Sequence, residues 1–199
     1  MEAAIQTYAL PLLLGLGLAA STGLRTFLPL LMLAVAGRFD LFGIELNDKM
    51  AWLVSDAAIA ALGVATVAEF IGDKVPAIDH MLHAVGLVAR PLAAIVAAYA
   101  VFGEMDPIVA AVAAVMVGAP TALTFNAAQG GTRLASTATT GGLGNPVVSF
   151  IEDVLAFLTV LIAFILPLLI PVILALVLWL VWKLARKLKP RSAQTSAGS

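Results

Sequence analysis

The chain has 199 residues, of which 62% are hydrophobic and 12% charged, with a net charge of −1 and no cysteine. Its mean hydropathy of +1.06 sets it apart from soluble domains, which are about half apolar and a quarter charged. These values exclude disulfides, thiolate metal sites and cysteine nucleophiles, and they leave no strong positive field with which to recruit nucleic acid.

The opening residues, MEAAIQTYALPLLLGLGLAAST, have an apolar run but no basic leader, so they are expected to stay as a first helix and not to be removed as a signal peptide. Six hydrophobic segments follow in order. The first, residues 5–37, is too long for one straight span and is expected to break at Ser21-Thr22-Gly23 and Pro29. The second covers 51–72. The third covers 79–102 with a kink at Pro91, and the fourth covers 107–128 with interruptions at Gly118 and Pro120. The fifth and sixth, 147–166 and 171–188, are separated around Pro167 and Pro171. About 20 apolar residues cross the hydrocarbon core of a bilayer. The expected fold is therefore all-α: one polytopic membrane bundle over residues 1–188 with broken or re-entrant helices, and a disordered cytoplasmic tail at 189–199.

Basic residues set the expected orientation. The sixth segment ends in KLARKLKPR, which belongs in the cytoplasm of a bacterial inner membrane. Counting back places the 72–79 turn, the 128–146 loop and the N-terminus inside, and the 38–50 and 103–106 loops outside; a hairpin in the broken first segment would instead flip the N-terminus. The outer loop RFDLFGIELNDKM suggests a short hairpin or surface helix and no function. Trp179 and Trp182 precede the basic end, as in an interfacial belt. Alanine- and glycine-rich runs in segments two to four suit close helix packing.

Three stretches carry polar groups where charge is costly. In AASTGLRTFLPLL, Arg25 lies between two apolar runs and needs either a partner or a route by which to snorkel to an interface. In AEFIGDKVPAIDHMLHAVGLVARP, Glu69 and Asp73 are four residues apart and share a helix face if the helix extends that far. Lys74, Asp79, His83 and Arg90 follow. Either this is a solvated helix end with local ion pairs, or its charges line a site. Glu69, Asp73, Asp79 and His83 are also weak candidates for a divalent metal, with Lys74 and Arg90 competing for the acids.

The third stretch, GGTRLASTATTGGLGNPVVSFIED, contains Arg133, Thr139, Thr140 and Asn145 and ends on the adjacent acids Glu152 and Asp153. So much glycine and proline predicts a break in the helix, expected to re-enter the membrane over 130–146. Non-helical backbone at that depth lines a watery cavity or is buried in protein. The alternative is a plain cytoplasmic loop before a helix whose N-terminus attracts the acids. Two short echoes, Thr22-Gly23-Leu24 with Gly142-Leu143 and FIGD with FIED, suggest two weak repeats.

These blocks, STGLRTFLPLL, EFIGDKVPAIDH, Arg90-Pro91 and STATTGGLGNPVVSFIED, resemble in order and spacing those of the domain of unknown function 4126 family. The resemblance covers roughly residues 10–165. It implies a multi-pass inner-membrane protein and no particular activity. The chain departs from that pattern at His83, where the family has an acid, and at Gly86-Leu87, where it has a His-Thr pair. The matching positions are Arg25, Glu69, Asp73, Lys74, Asp79, Arg90, Arg133, Asn145, Glu152 and Asp153.

The expected function is a small secondary transporter or permease with a charge-lined site opening to the cytoplasmic side. A proton or cation would be its coupling ion, and a small polar or anionic solute or a lipid headgroup its partner. No cofactor is implied, and a homodimer is compatible. Alternatives are a lipid-phosphate-handling enzyme or flippase, with Arg90 and Arg133 gripping the phosphate, and a non-catalytic membrane scaffold.

Overall fold

The computed structural model describes residues 5–188, which contain no strand. After a π-helical turn, Ile5–Ala9, helix α1 (Leu10–Leu24) begins with Pro11 in its first turn, where a missing N–H leaves no bond unmade. It ends at Arg25, whose backbone is extended, and α2 (Leu28–Arg38) follows with Pro29 in its own first turn. The expected break is therefore present but displaced to residues 25–27. Ser21 and Thr22 remain helical, their hydroxyls donating to Ala156 O (2.9 Å) and Leu18 O (2.7 Å).

The break turns the chain back on itself. Thr7 donates to Glu104 Oε2 at 3.3 Å, and the backbone N–H of Asn47 donates to Ala100 O at 2.7 Å. The first described turn, Ile5–Ala9, thus lies at the same end of the bundle as the 38–50 and 103–106 loops. Counting the first segment as one pass had put it at the opposite end. The physical reason for the correction is that α1 and α2 are two arms of a hairpin.

A 3-10 helix, Asp48–Val54, meets α3 (Asp56–Gly72) at 63°, with Ser55 capping α3 through its hydroxyl. Helix α4 (Pro76–Ala100) runs through Pro91, and α5 (Pro107–Thr140), capped by Asp106, runs through Pro120. Helix α6 (Asn145–Ile165), a 3-10 turn (Pro167–Leu169) and α7 (Ile170–Leu188) complete the chain.

The length of α5 corrects the expected break over 130–146. Residues through Thr140 are helical, and only the turn at 141–144 interrupts, with positive φ at Gly141 and Gly142. A helical glycine costs about 1 kcal/mol, whereas an unsatisfied backbone group in lipid costs several. Helix therefore wins despite the glycines. The hydroxyls of Thr139 and Thr140 bond back to Ala135 O and Ser136 O within the same helix.

Helix α1 is central and packs against α4, α5, α6 and α7. Two glycines let backbones meet, one between α1 and α5 and one between α4 and α5: a Cβ on Gly23 would lie 2.5 Å from Ala122 O, and one on Gly118 would lie 2.9 Å from the Ala94 backbone. Leu18, Leu33, Leu53, Phe102 and Val160 fill the core. Apolar side chains such as Val64, Met116 and Val172 instead face outward, which suits a lipid solvent.

Three helices, Gln6–Leu24, Pro107–Thr140 and Asn145–Ile165, are long and apolar enough to cross a membrane, or four spans if the bent pair at 48–72 counts as one. The other apolar stretches, Leu28–Arg38, Ala84–Ala100 and Pro167–Trp179, are shorter. The expected tail at 189–199 and the Trp182 side chain lie outside the described residues.

Candidate functional site

The ends of α1 and α3, the middle of α4, the second half of α5 and the first turns of α6 meet at one level of the bundle. Arg25, released from α1 by the break, is fully buried there. Its Nη1 pairs with Asp73, the residue that caps α3, and its Nε lies 2.5 Å from Asp153 Oδ1. Its Nη2 donates to Ser149 Oγ (2.8 Å) and Ser149 O (3.1 Å) and lies 4.0 Å from Glu152. The Phe70 ring lies 5.5 Å from the guanidinium carbon, a cation–π contact.

Arg133 closes the network from α5. Its Nη2 lies 3.1 Å from Asp73 Oδ2 and 2.8 Å from Glu152 Oε2. Gln129, one turn earlier, donates to the same Glu152 Oε2 at 2.8 Å. Glu152 Oε1, by contrast, is buried with no hydrogen-bond partner among the described residues. Asp73 and Glu152 are 6% and 5% exposed, so these carboxylates are charges at depth and depend on the two arginines. Lys74 stands at the rim, half exposed, 3.9 Å from Asp153.

The two sides of the α1–α2 break are held by opposite charges. At the amide side, Glu69 accepts from the backbone N–H of Thr26 (2.9 Å) and Phe27 (3.2 Å), the end of α2 that carries its positive dipole. At the carbonyl side, Arg90 donates to Gly23 O (3.0 Å) and Gln129 to Leu24 O (3.2 Å). Arg90 also donates to Asn126 Oδ1 (2.6 Å) and to Gln129 Oε1. The expected pairing of Arg90 with an acid is replaced by neutral acceptors: no carboxylate reaches it within ion-pair distance among the described residues.

Of the residues singled out in the sequence, Arg25, Glu69, Asp73, Arg90, Arg133, Glu152 and Asp153 are brought together, with Lys74 at the edge. Thr139, Thr140 and Asn145 are not. The two threonines are exposed, and Asn145 Nδ2 donates to Thr137 Oγ1 at 3.1 Å, so all three shape the turn between α5 and α6. Asp79 and His83 are on α4 by their backbone, and their side chains lie outside the described residues. Among the described residues no group of three His, Asp or Glu side chains is placed to hold a metal ion. The oxygens of Glu69 face amides, and Asp73 Oδ2 faces two arginines.

Three participants escaped the sequence reading: Asn126, Gln129 and Ser149. Asn126, Gln129 and Arg133 recur at helical spacing in an otherwise apolar stretch, and that stripe was the available signal. Ser149 shares a face with Glu152 and Asp153 for the same reason.

An all-helical chain with outward apolar faces and a buried network of charges defines a polytopic membrane protein. The chain belongs to the family described as domain of unknown function (DUF4126), whose model matches residues 12–187. No curated protein and no solved structure matches it.

Proposed function

We propose that the protein is a small secondary transporter or permease of the bacterial inner membrane, with the network around Arg25 as its ion- and solute-handling site. Its C-terminus would lie in the cytoplasm, and the network would open to that side. One observation supports this most directly: carboxylates from α3 and α6 share one buried guanidinium at a break in a central helix. Interrupted helices in transporters hold substrate and coupling ions at their free ends. Here Glu69 and Arg90 sit at those two ends, where an ion and a charged solute would compete with them.

Asp73, Glu152 and Asp153 are the groups we assign to a proton or cation. Glu152 is favoured because one oxygen is crowded with donors while the other has none. The FIGD and FIED echoes supply Asp73 and Asp153, each on Arg25, and fit a twofold use of one acidic motif within six hydrophobic segments.

A second reading, a scaffold whose charges only lock helices together, draws support from the ion pairs of Arg25 with Asp73 and Asp153 and the hydrogen bonds of Arg90 to Gly23 O and Asn126, all within the same chain. Lipid-phosphate chemistry has less support, since neither guanidinium faces outward. The test is flux in proteoliposomes containing the full chain, with a trapped pH dye and with small polar and anionic solutes. Transport predicts a protein-dependent flux that Glu152→Gln with Asp153→Asn abolishes while the fold is kept. If Arg133→Glu with Glu152→Arg restores stability and every phenotype, the scaffold reading holds instead.

A further inference from the structure

Two buried polar atoms of opposite kind are left over in the charge network. Among the described residues, Glu152 Oε1 has no donor and Arg90 Nε has no acceptor. Arg90 is 3% exposed, and its Nη1 is held by Gly23 O, Asn126 Oδ1 and Gln129 Oε1. Gly86, one turn earlier on α4, lets the guanidinium lie against its own helix, since a Cβ there would stand 3.1 Å from Nε. A buried cation with an unmet N–H is costly. An anion would supply the missing acceptor and the countercharge together.

Gln129 joins the two. Its Nε2 donates to Glu152 Oε2 at 2.8 Å and to Leu24 O at 3.2 Å, while its Oε1 accepts from Arg90. Turning the amide over would set its oxygen against the carboxylate and its N–H groups against the guanidinium, so both charges fix its orientation. Glu152 also attracts Arg90 through space, as does Glu69. Among the described residues, the other charges around Glu152 are Arg25 from the α1 break, Arg133 from α5, Asp73 from the end of α3 and Asp153 beside it. Lys74 stands at the rim.

We infer that the network is a proton-linked anion site, in which protonation of Glu152 prepares Arg90 for a small monovalent anion. The proton comes from the aqueous side and rests on Oε1. Glu152 then stops competing for the charge of Arg90 and loosens its hold on Gln129, and the anion follows onto Arg90 Nε. Gln129 is the positioning residue between the two ligands. The inference rests on the transporter reading above and names its coupling ion, a proton, and its solute, an anion. A metal ion fits poorly in place of the proton, because no three acids or histidines among the described residues are grouped to ligate it.

The test is isothermal titration of the full chain in a maltoside detergent with sodium nitrate as the probe, over sodium gluconate as background salt. Titrations from about pH 5 to 8 in buffers of different ionisation enthalpy count the protons taken up. Saturable binding is expected with about one proton per nitrate, its affinity falling about tenfold per pH unit in the linked range. Glu152→Gln should remove the proton uptake and flatten the pH dependence, and Arg90→Gln should weaken nitrate by about tenfold or more. No saturable binding in the parent, or binding of one affinity throughout with no proton uptake, overturns the inference. Those readings use the unaltered protein, so they decide the matter even if a variant fails to fold. Solute flux in proteoliposomes with unlinked binding would remove this inference and keep the transporter. Linked binding without flux would remove the transporter and keep the site.

Discussion

Asp73 at the end of α3 and Asp153 in α6 hold the same side chain: the guanidinium of Arg25 pairs with the first through Nη1 and meets the second through Nε at 2.5 Å. A single cation thus ties the end of α3 to the start of α6 at the point where α1 stops being helical.

Removing that cation should be costly. Arg25→Met leaves the buried Asp73 and the partly buried Asp153 short of a partner and should destabilise the protein by about 3–5 kcal/mol, read as thermal unfolding in detergent. Adding Asp73→Asn and Asp153→Asn should recover most of the loss. A single variant as stable as the parent would show that the acids find another cation.

Glu69 bears on the break itself. Glu69→Ala frees the N–H groups of Thr26 and Phe27 and should cost about 1–2 kcal/mol. Hydrogen exchange at those two amides should rise, and Glu69→Gln, which keeps an acceptor, should show a smaller change. Unaltered exchange in the alanine variant would contradict the cap.

Glycines separate contact from flexibility. Gly23→Ala forces a methyl against Ala122 O and should destabilise by about 1–3 kcal/mol. Gly63→Ala, in α3 with open space around it, should be neutral or stabilising by up to about 1 kcal/mol. Equal effects at the two positions would mean that α1 and α5 are not in backbone contact.

The pair Arg133–Glu152 should behave differently from Arg38–Asp56. In a double-mutant cycle the buried pair should couple by about 1–3 kcal/mol. The second pair, 3.2 Å apart with both side chains well exposed, should couple far less, since water screens it. Similar coupling in both would argue against the burial of Arg133 and Glu152.

Charge in an apolar chain was the most legible signal. Seven of the singled-out ionisable residues converge because, in lipid, each must find a partner, and few are on offer. Neutral polar residues stand out less, so Asn126, Gln129 and Ser149 went unnoticed although their helical spacing placed them on the face of Arg133 or Glu152. Glycine alone does not break the helix here. The 130–146 stretch remains helical to Thr140 because backbone satisfaction outweighs propensity where water is scarce. The direction of α2 was not legible either. A short break can continue a span or reverse it, and the contacts of Thr7 and Asn47 that decide the matter are distant in sequence.

The most direct test of the network is current on a solid-supported membrane carrying reconstituted protein, recorded for the parent and for Glu152→Gln with Asp153→Asn while proton gradients and small charged solutes are applied. A transient current in the parent that disappears in the folded variant is the predicted result. Identical currents in the two would contradict a role for these carboxylates in moving charge.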